Sequence, residues 1–168
     1  MKIGLVSPAS LPATQFGGIL FLMLDIAREA SNLGHDVTIY TTDLDFANNP
    51  HTFNKNLPKK EKIDNFHIVR SHVWFHIQLF FVNPGIYFKM MQDNHDIIHT
   101  IGLRSFQSFI AAIVARKKNI PLIISDQGGL TTHPDLIGNS VLQKLLYRLQ
   151  SPFIKFIIRQ ASKIIVAN

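Results

Sequence analysis

"ILFLMLDIAREASNLGHDVTIYTT" (residues 19–42) carries two kinds of periodicity across a single turn. From Ile19 to Leu33 apolar residues recur at helical spacing, and Gly34 stands where such a helix must stop. From Asp36 to Thr42 apolar and β-branched residues alternate as they do in a strand. Just upstream, "KIGLV" (2–6) is a short β-type run closed by Ser7 and Pro8. A strand, a helix and a strand within about forty residues make a βαβ unit.

The same alternation continues along the chain. "FHIVRSH" (66–72) reads as a third strand, "DIIHT" (96–100) as a fourth and "PLIIS" (121–125) as a fifth, with a helix over "SFQSFIAAIVARKKN" (105–119) between the last two. A helix begins near Val141, with an interruption expected at Ser151-Pro152 where proline opens a new helix, and "SKIIVAN" (162–168) forms a sixth strand. Residues 43–65 are polar and without a period, and are expected to form a long, mobile loop. The apolar, aromatic stretch 74–91, broken by Asn83-Pro84-Gly85, is expected to form helical pieces over the sheet.

The pattern predicts one Rossmann-like, doubly wound α/β domain over residues 1–168, with a mainly parallel sheet of about six strands and helices on both faces. In that class ligands sit beyond the carboxyl ends of the strands, at the switch point between the first and fourth strands. Three stretches are thereby selected: residues 7–18, 99–105 and 126–135.

The chain has 168 residues, nearly half of them apolar, which suits a single core. It contains no cysteine, so disulfides, thiolate metal sites and a cysteine nucleophile are excluded, and a cytoplasmic setting is expected. No apolar run approaches the roughly 18 residues of a membrane span. The net charge of +6 is uneven: residues 97–168 hold nine bases against Asp126 and Asp135. That basic half suits peripheral contact with an anionic membrane, or simply solubility; a nucleic-acid partner is not expected.

At the first selected stretch, Gly17 and Gly18 stand where the first helix begins. Unpaired N–H groups face the crevice there, and the absence of Cβ atoms lets a phosphate or sugar approach the backbone. The plainer alternative is a turn glycine followed by a packing glycine. The nicotinamide and flavin fingerprint G-x-G-x-x-G and the phosphate loop G-x-x-x-x-G-K-[ST] are both absent. His99 ends the fourth strand and is placed to donate to a hydroxyl or phosphate. Asp126, Gln127, Gly128 and Gly129 follow the fifth strand, putting a carboxylate and an amide beside a second glycine pair. His35, His51, His67, His72 and His76 share no metal-ligand spacing and read as structural. Lys144, Arg148, Lys155 and Arg159 form one stripe beside an apolar face, the pattern of an interfacial helix and equally of a packed helix with a solvated outer side.

The succession "KIGLVSPASLPATQFGG", "SNLGHDVTIYTT", "HDIIHTIG", "IPLIISDQGG" and "ASKIIVAN" resembles the amino-terminal domain of glycosyltransferase family 4, whose members have the GT-B fold of two Rossmann-like domains. The resemblance implies transfer of a sugar from a nucleotide-sugar donor, a UDP- or GDP-sugar, to a glycan or lipid-linked acceptor with retention of configuration. It implies no further cofactor and no metal. Gly17 and Gly18 match the loop that approaches the donor, and Asp126, Gln127 and Gly128 lie where the acceptor binds. His99 matches the first histidine of the family's H-x-H, the catalytic candidate, whereas Ile101 replaces the second. Gln127 occupies the histidine position of T-x-H-G. The resemblance also places the E-x7-E donor site in a carboxyl-terminal domain, so this chain alone is expected not to turn over. A catalytically silent interaction module, docking to a partner or an anionic membrane, is the alternative.

Overall fold

The computed structural model describes residues 1–46, 52–77, 79–127 and 141–166, with the backbone alone over 141–147. The described residues form nine strands and four α-helices: β1 (Lys2–Val6), α1 (Gly18–Asn32), β2 (Asp36–Thr42), β3 (Lys60–Ile63), β4 (Phe66–Ser71), β5 (Phe75–Ile77), β6 (Phe80–Val82), α2 (Gly85–Gln92), β7 (Ile97–Ile101), α3 (Phe106–Lys118), β8 (Leu122–Asp126), α4 (Val141–Gln160) and β9 (Lys163–Val166).

Seven strands form the main sheet in the order β3-β4-β2-β1-β7-β8-β9. All neighbours from β4 to β9 are parallel. Taken alone, these six parallel strands have the doubly wound order 3-2-1-4-5-6, so the chain reverses direction between β1 and β7. Adjacent residues of a strand face opposite sides, which separates two cores. Leu5, Ile39 and Ile68 pack under α1 with Leu20, Met23 and Leu24. Val6, Tyr40 and Val69 pack with Ile86 of α2, Ile110 and Val114 of α3, and Ile157 of α4. Covered strands without polar alternation are what a parallel sheet requires.

Three expectations need correction. The stretch 43–65 contains β3, which pairs antiparallel with β4 through a turn at Asp64, whose φ of 50° is the left-handed conformation that aspartate tolerates. Its alternating exposed lysines are typical of an edge strand, and they hid it among the polar residues around it. The stretch 74–91 begins as a hairpin, β5 pairing antiparallel with β6, and only then becomes α2. Aromatic and β-branched residues favour that extended start. Finally, α4 runs through Pro152 without a break. Proline removes one helix hydrogen bond there, but the packing of Phe153 and Phe156 on Phe109 of α3 and the burial of Ile157 carry the helix past it.

Candidate functional site

β1 ends at Val6, and the loop that follows is held by its neighbours. Thr42 donates its hydroxyl to the Pro8 carbonyl at 2.7 Å. Arg70, only 3% exposed, donates Nη2 to the Leu11 carbonyl at 2.6 Å and Nη1 to Pro58 at 3.0 Å, and it pairs with Glu61. A 3-10 turn at Thr14–Phe16 then carries Phe16 against Phe46 and Phe81, with ring centroids 6.4 and 6.3 Å away.

This anchored loop delivers Gly17 and Gly18 to the start of α1. Gly17 has φ 96° and ψ −161°, a conformation essentially restricted to glycine. Gly18 has ordinary backbone geometry, yet a Cβ built on it would meet no atom of the described residues within 4 Å. Among the described residues, nothing packs within 4 Å of where either glycine's Cβ would lie. Among the described residues, no side chain caps α1 and no acidic residue lies in its first turn, so its first N–H groups have no side-chain acceptor there.

Across the switch point, β7 and β8 present the other wall. His99 lies two residues inside the end of β7, half-buried, its Nε2 hydrogen-bonded to Ser125 Oγ at 2.8 Å. Burial lowers its pKa, which favours the neutral imidazole. Asp126 is buried at the end of β8, and Gln127 is exposed immediately beyond it. Gly128 lies outside the described residues. The sheet order thus places side by side the strands that the three predicted stretches end or follow, β1 next to β7 and β7 next to β8.

Two features escaped the sequence reading. Arg104 follows β7, and the Asp126 carboxylate favours its charged form, while burial, the larger influence, opposes it. The second is Asp43 with His72, beyond the ends of β2 and β4. The Asp43 side chain is 6% exposed and accepts the His72 Nδ1–H at 2.5 Å, while the His72 side chain is 37% exposed. An aspartate directly after one strand and a histidine directly after its neighbour were the available signal, but the pairing is visible only once β2 and β4 are known to be adjacent.

A separate polar cleft of about 160 Å³ opens at the amino ends of the strands, lined in part by Lys2, Asp36, Lys60, Asp93 and His95. It contains none of the predicted site residues.

A family model described as Glycosyltransferase Family 4 matches residues 16–168. The chain belongs to this family. Among solved structures, the MurG of Acinetobacter baumannii superposes with a TM-score of 0.54 at 15% identity, over 99% of this chain and 41% of that one. At that identity the likeness concerns the fold, and the chain spans about two fifths of the MurG chain. Comparison with curated proteins finds no significant match. The Rossmann-like sheet order is therefore that of an amino-terminal family 4 domain.

Proposed function

We propose that this family 4 domain is the acceptor-binding part of a retaining glycosyltransferase that uses a UDP- or GDP-sugar and delivers the sugar to a glycan or lipid-linked acceptor. The observation that carries the reading is the space, open among the described residues, above Gly18 at the start of α1, where no side chain caps the first N–H groups. A diphosphate approaching there meets backbone donors and a helix dipole, the groups that stabilise negative charge developing on a leaving group. The donor's remaining contacts belong to a second domain, no cofactor takes part, and the present chain alone is inactive. Gly17 and Gly18 approach the donor; His99 serves the reacting centre as a neutral imidazole; Asp126, Gln127 and Gly128 hold the acceptor.

The test is a transfer assay on a protein carrying this domain together with a donor domain, using radiolabelled UDP- and GDP-hexoses and membrane extracts as acceptor, with the product anomer read by NMR. Retention is the expected outcome, and Gly18→Val is expected to lower transfer at least about tenfold because its side chain fills the approach. An inverted anomer refutes the retaining assignment. Absence of transfer with every donor favours the interaction module.

A further inference from the structure

The hairpin β5–β6 is aromatic on both faces, and each face is covered only in part. Residues paired across an antiparallel ribbon share a face. His76 and Phe81 therefore point the same way, and both rings stack on Phe53 at 5.5 Å. The opposite face carries Phe75, Ile77, Phe80 and Val82. There Phe75 is 56% and Ile77 53% exposed, flanked by Trp74 at 72% and Leu79 at 59%. Four large apolar side chains exposed within six residues are a patch rather than scatter.

The hairpin adjoins a basic helix. Phe80 meets Phe106 at 6.2 Å, and Phe153 of α4 meets Phe109 at 5.0 Å. Phe106 and Phe109, three residues apart on α3, lie on one face of that helix. Hairpin and α4 thus both border the amino-terminal turns of α3. The exposed side of α4 adds Leu149 and Phe153 to the apolar surface, and Arg148, Lys155 and Arg159 as exposed cations. Neither stretch contains an acidic residue: there is none from Asn65 to Gln92, and none from Val141 to Asn168.

We propose that this joint surface docks the domain on an anionic lipid bilayer, with Trp74, Phe75, Ile77 and Leu79 entering the interface while Arg148 and Lys155 meet lipid phosphates. Tryptophan and phenylalanine suit the boundary between headgroup and acyl chain, and basic residues beside an apolar face add attraction to anionic headgroups. An acid-free surface matches a bilayer better than it matches a protein interface, whose rim carries both signs of charge. No helix among the described residues is long and apolar enough to cross a membrane, so the contact is peripheral.

The docking is independent of sugar transfer and is tested without any nucleotide sugar. Trp74 is the only tryptophan in the chain, so intrinsic fluorescence reports on the hairpin itself. The chain is titrated with vesicles of phosphatidylcholine, with and without phosphatidylglycerol. The expected result is a blue shift and quenching by bromine-labelled acyl chains, with tighter binding to the anionic vesicles. Binding is expected to weaken when salt is raised from about 0.1 M to about 1 M, since screening shortens the Debye length from about 10 to about 3 Å. Arg148→Gln and Lys155→Gln, both at exposed positions, are each expected to weaken it about fivefold. Leu79→Ser is expected to reduce quenching of Trp74. An unchanged Trp74 spectrum with both vesicles overturns the proposal, as does binding that ignores salt and both cation replacements. If Trp74 is already shielded from iodide in a protein carrying both domains, and vesicles change nothing, the patch is a protein interface and the proposal fails.

Discussion

Asp43 holds His72 from the buried side, with Oδ2 accepting the imidazole Nδ1–H at 2.5 Å and Oδ1 accepting the Val73 N–H at 3.1 Å. The carboxylate is nearly enclosed, whereas the side chain of His72 is 37% exposed. Removing the two groups should therefore have unequal effects. Asp43→Ala leaves a buried N–H without its acceptor and is expected to cost about 1–3 kcal/mol in urea unfolding. His72→Ala removes a partly solvated partner and is expected to cost less than about 1 kcal/mol. Long-range 15N NMR should find the proton of wild-type His72 on Nδ1, and should find that preference lost in Asp43→Ala.

The two glycines should separate in the same way. Gly17→Ala forces a side chain into a positive-φ conformation and is expected to destabilise the fold by about 1–3 kcal/mol. Gly18→Ala meets no atom of the described residues and lies at a helix start, so its unfolding free energy should stay within about 0.5 kcal/mol of wild type. If Gly18→Ala unfolds as early as Gly17→Ala, the space above Gly18 is not open.

Arg70 ties β4 to two loops at once. Arg70→Met leaves the partly buried Glu61 carboxylate and the Leu11 and Pro58 carbonyls without their donor, and is expected to cost about 3–5 kcal/mol in chemical denaturation. Hydrogen exchange should rise in residues 8–16 before the rest of β1–α1–β2 is affected.

Stability should fall at both ends of the pH range. Burial depresses the folded-state pKa of His99 and His95, so below about pH 6.5 the unfolded chain binds more protons and the unfolding free energy drops. Tyr40 behaves oppositely: burial first, then the Asp93 carboxylate to which it donates, raises its pKa. Above about pH 10 the unfolded chain releases that phenolic proton while the folded chain keeps it, so stability falls again. His99→Gln should flatten the acid limb, and Tyr40→Phe the alkaline one, in denaturation midpoints measured across pH.

Where one periodicity ran uninterrupted, the sequence was enough. β2 lies where Asp36–Thr42 predicted it, and Ser105 and Asn119 bound α3, one through its side chain on the Ser108 N–H and the other in a left-handed conformation. The failures came where tertiary contacts overrode local signals. β3 alternates with lysines and exists because β4 offers an unpaired edge; β5 and β6 look like helix because both of their faces are apolar; α4 survives Pro152 because its flanking aromatics are packed on Phe109. The site divided in the same way. Chain order alone put Gly17 and Gly18 at the start of α1, His99 in β7, and Asp126 and Gln127 at and just past the end of β8, where the structure has them. The link between Asp43 and His72 depends on strand adjacency, which chain order does not encode.

The segment from Ser7 to Phe16 is fastened at Pro8 by Thr42, at Leu11 by Arg70, and at Phe16 by Phe46 and Phe81. Its shape is therefore set when the domain folds rather than when a ligand arrives. A molecule settling over the glycines has little backbone left to immobilise, so its affinity reflects the contacts it makes with only a small entropic offset. Loosening one fastening far from the glycines would return that offset to the binding step, weakening recognition without removing a single contact to the ligand.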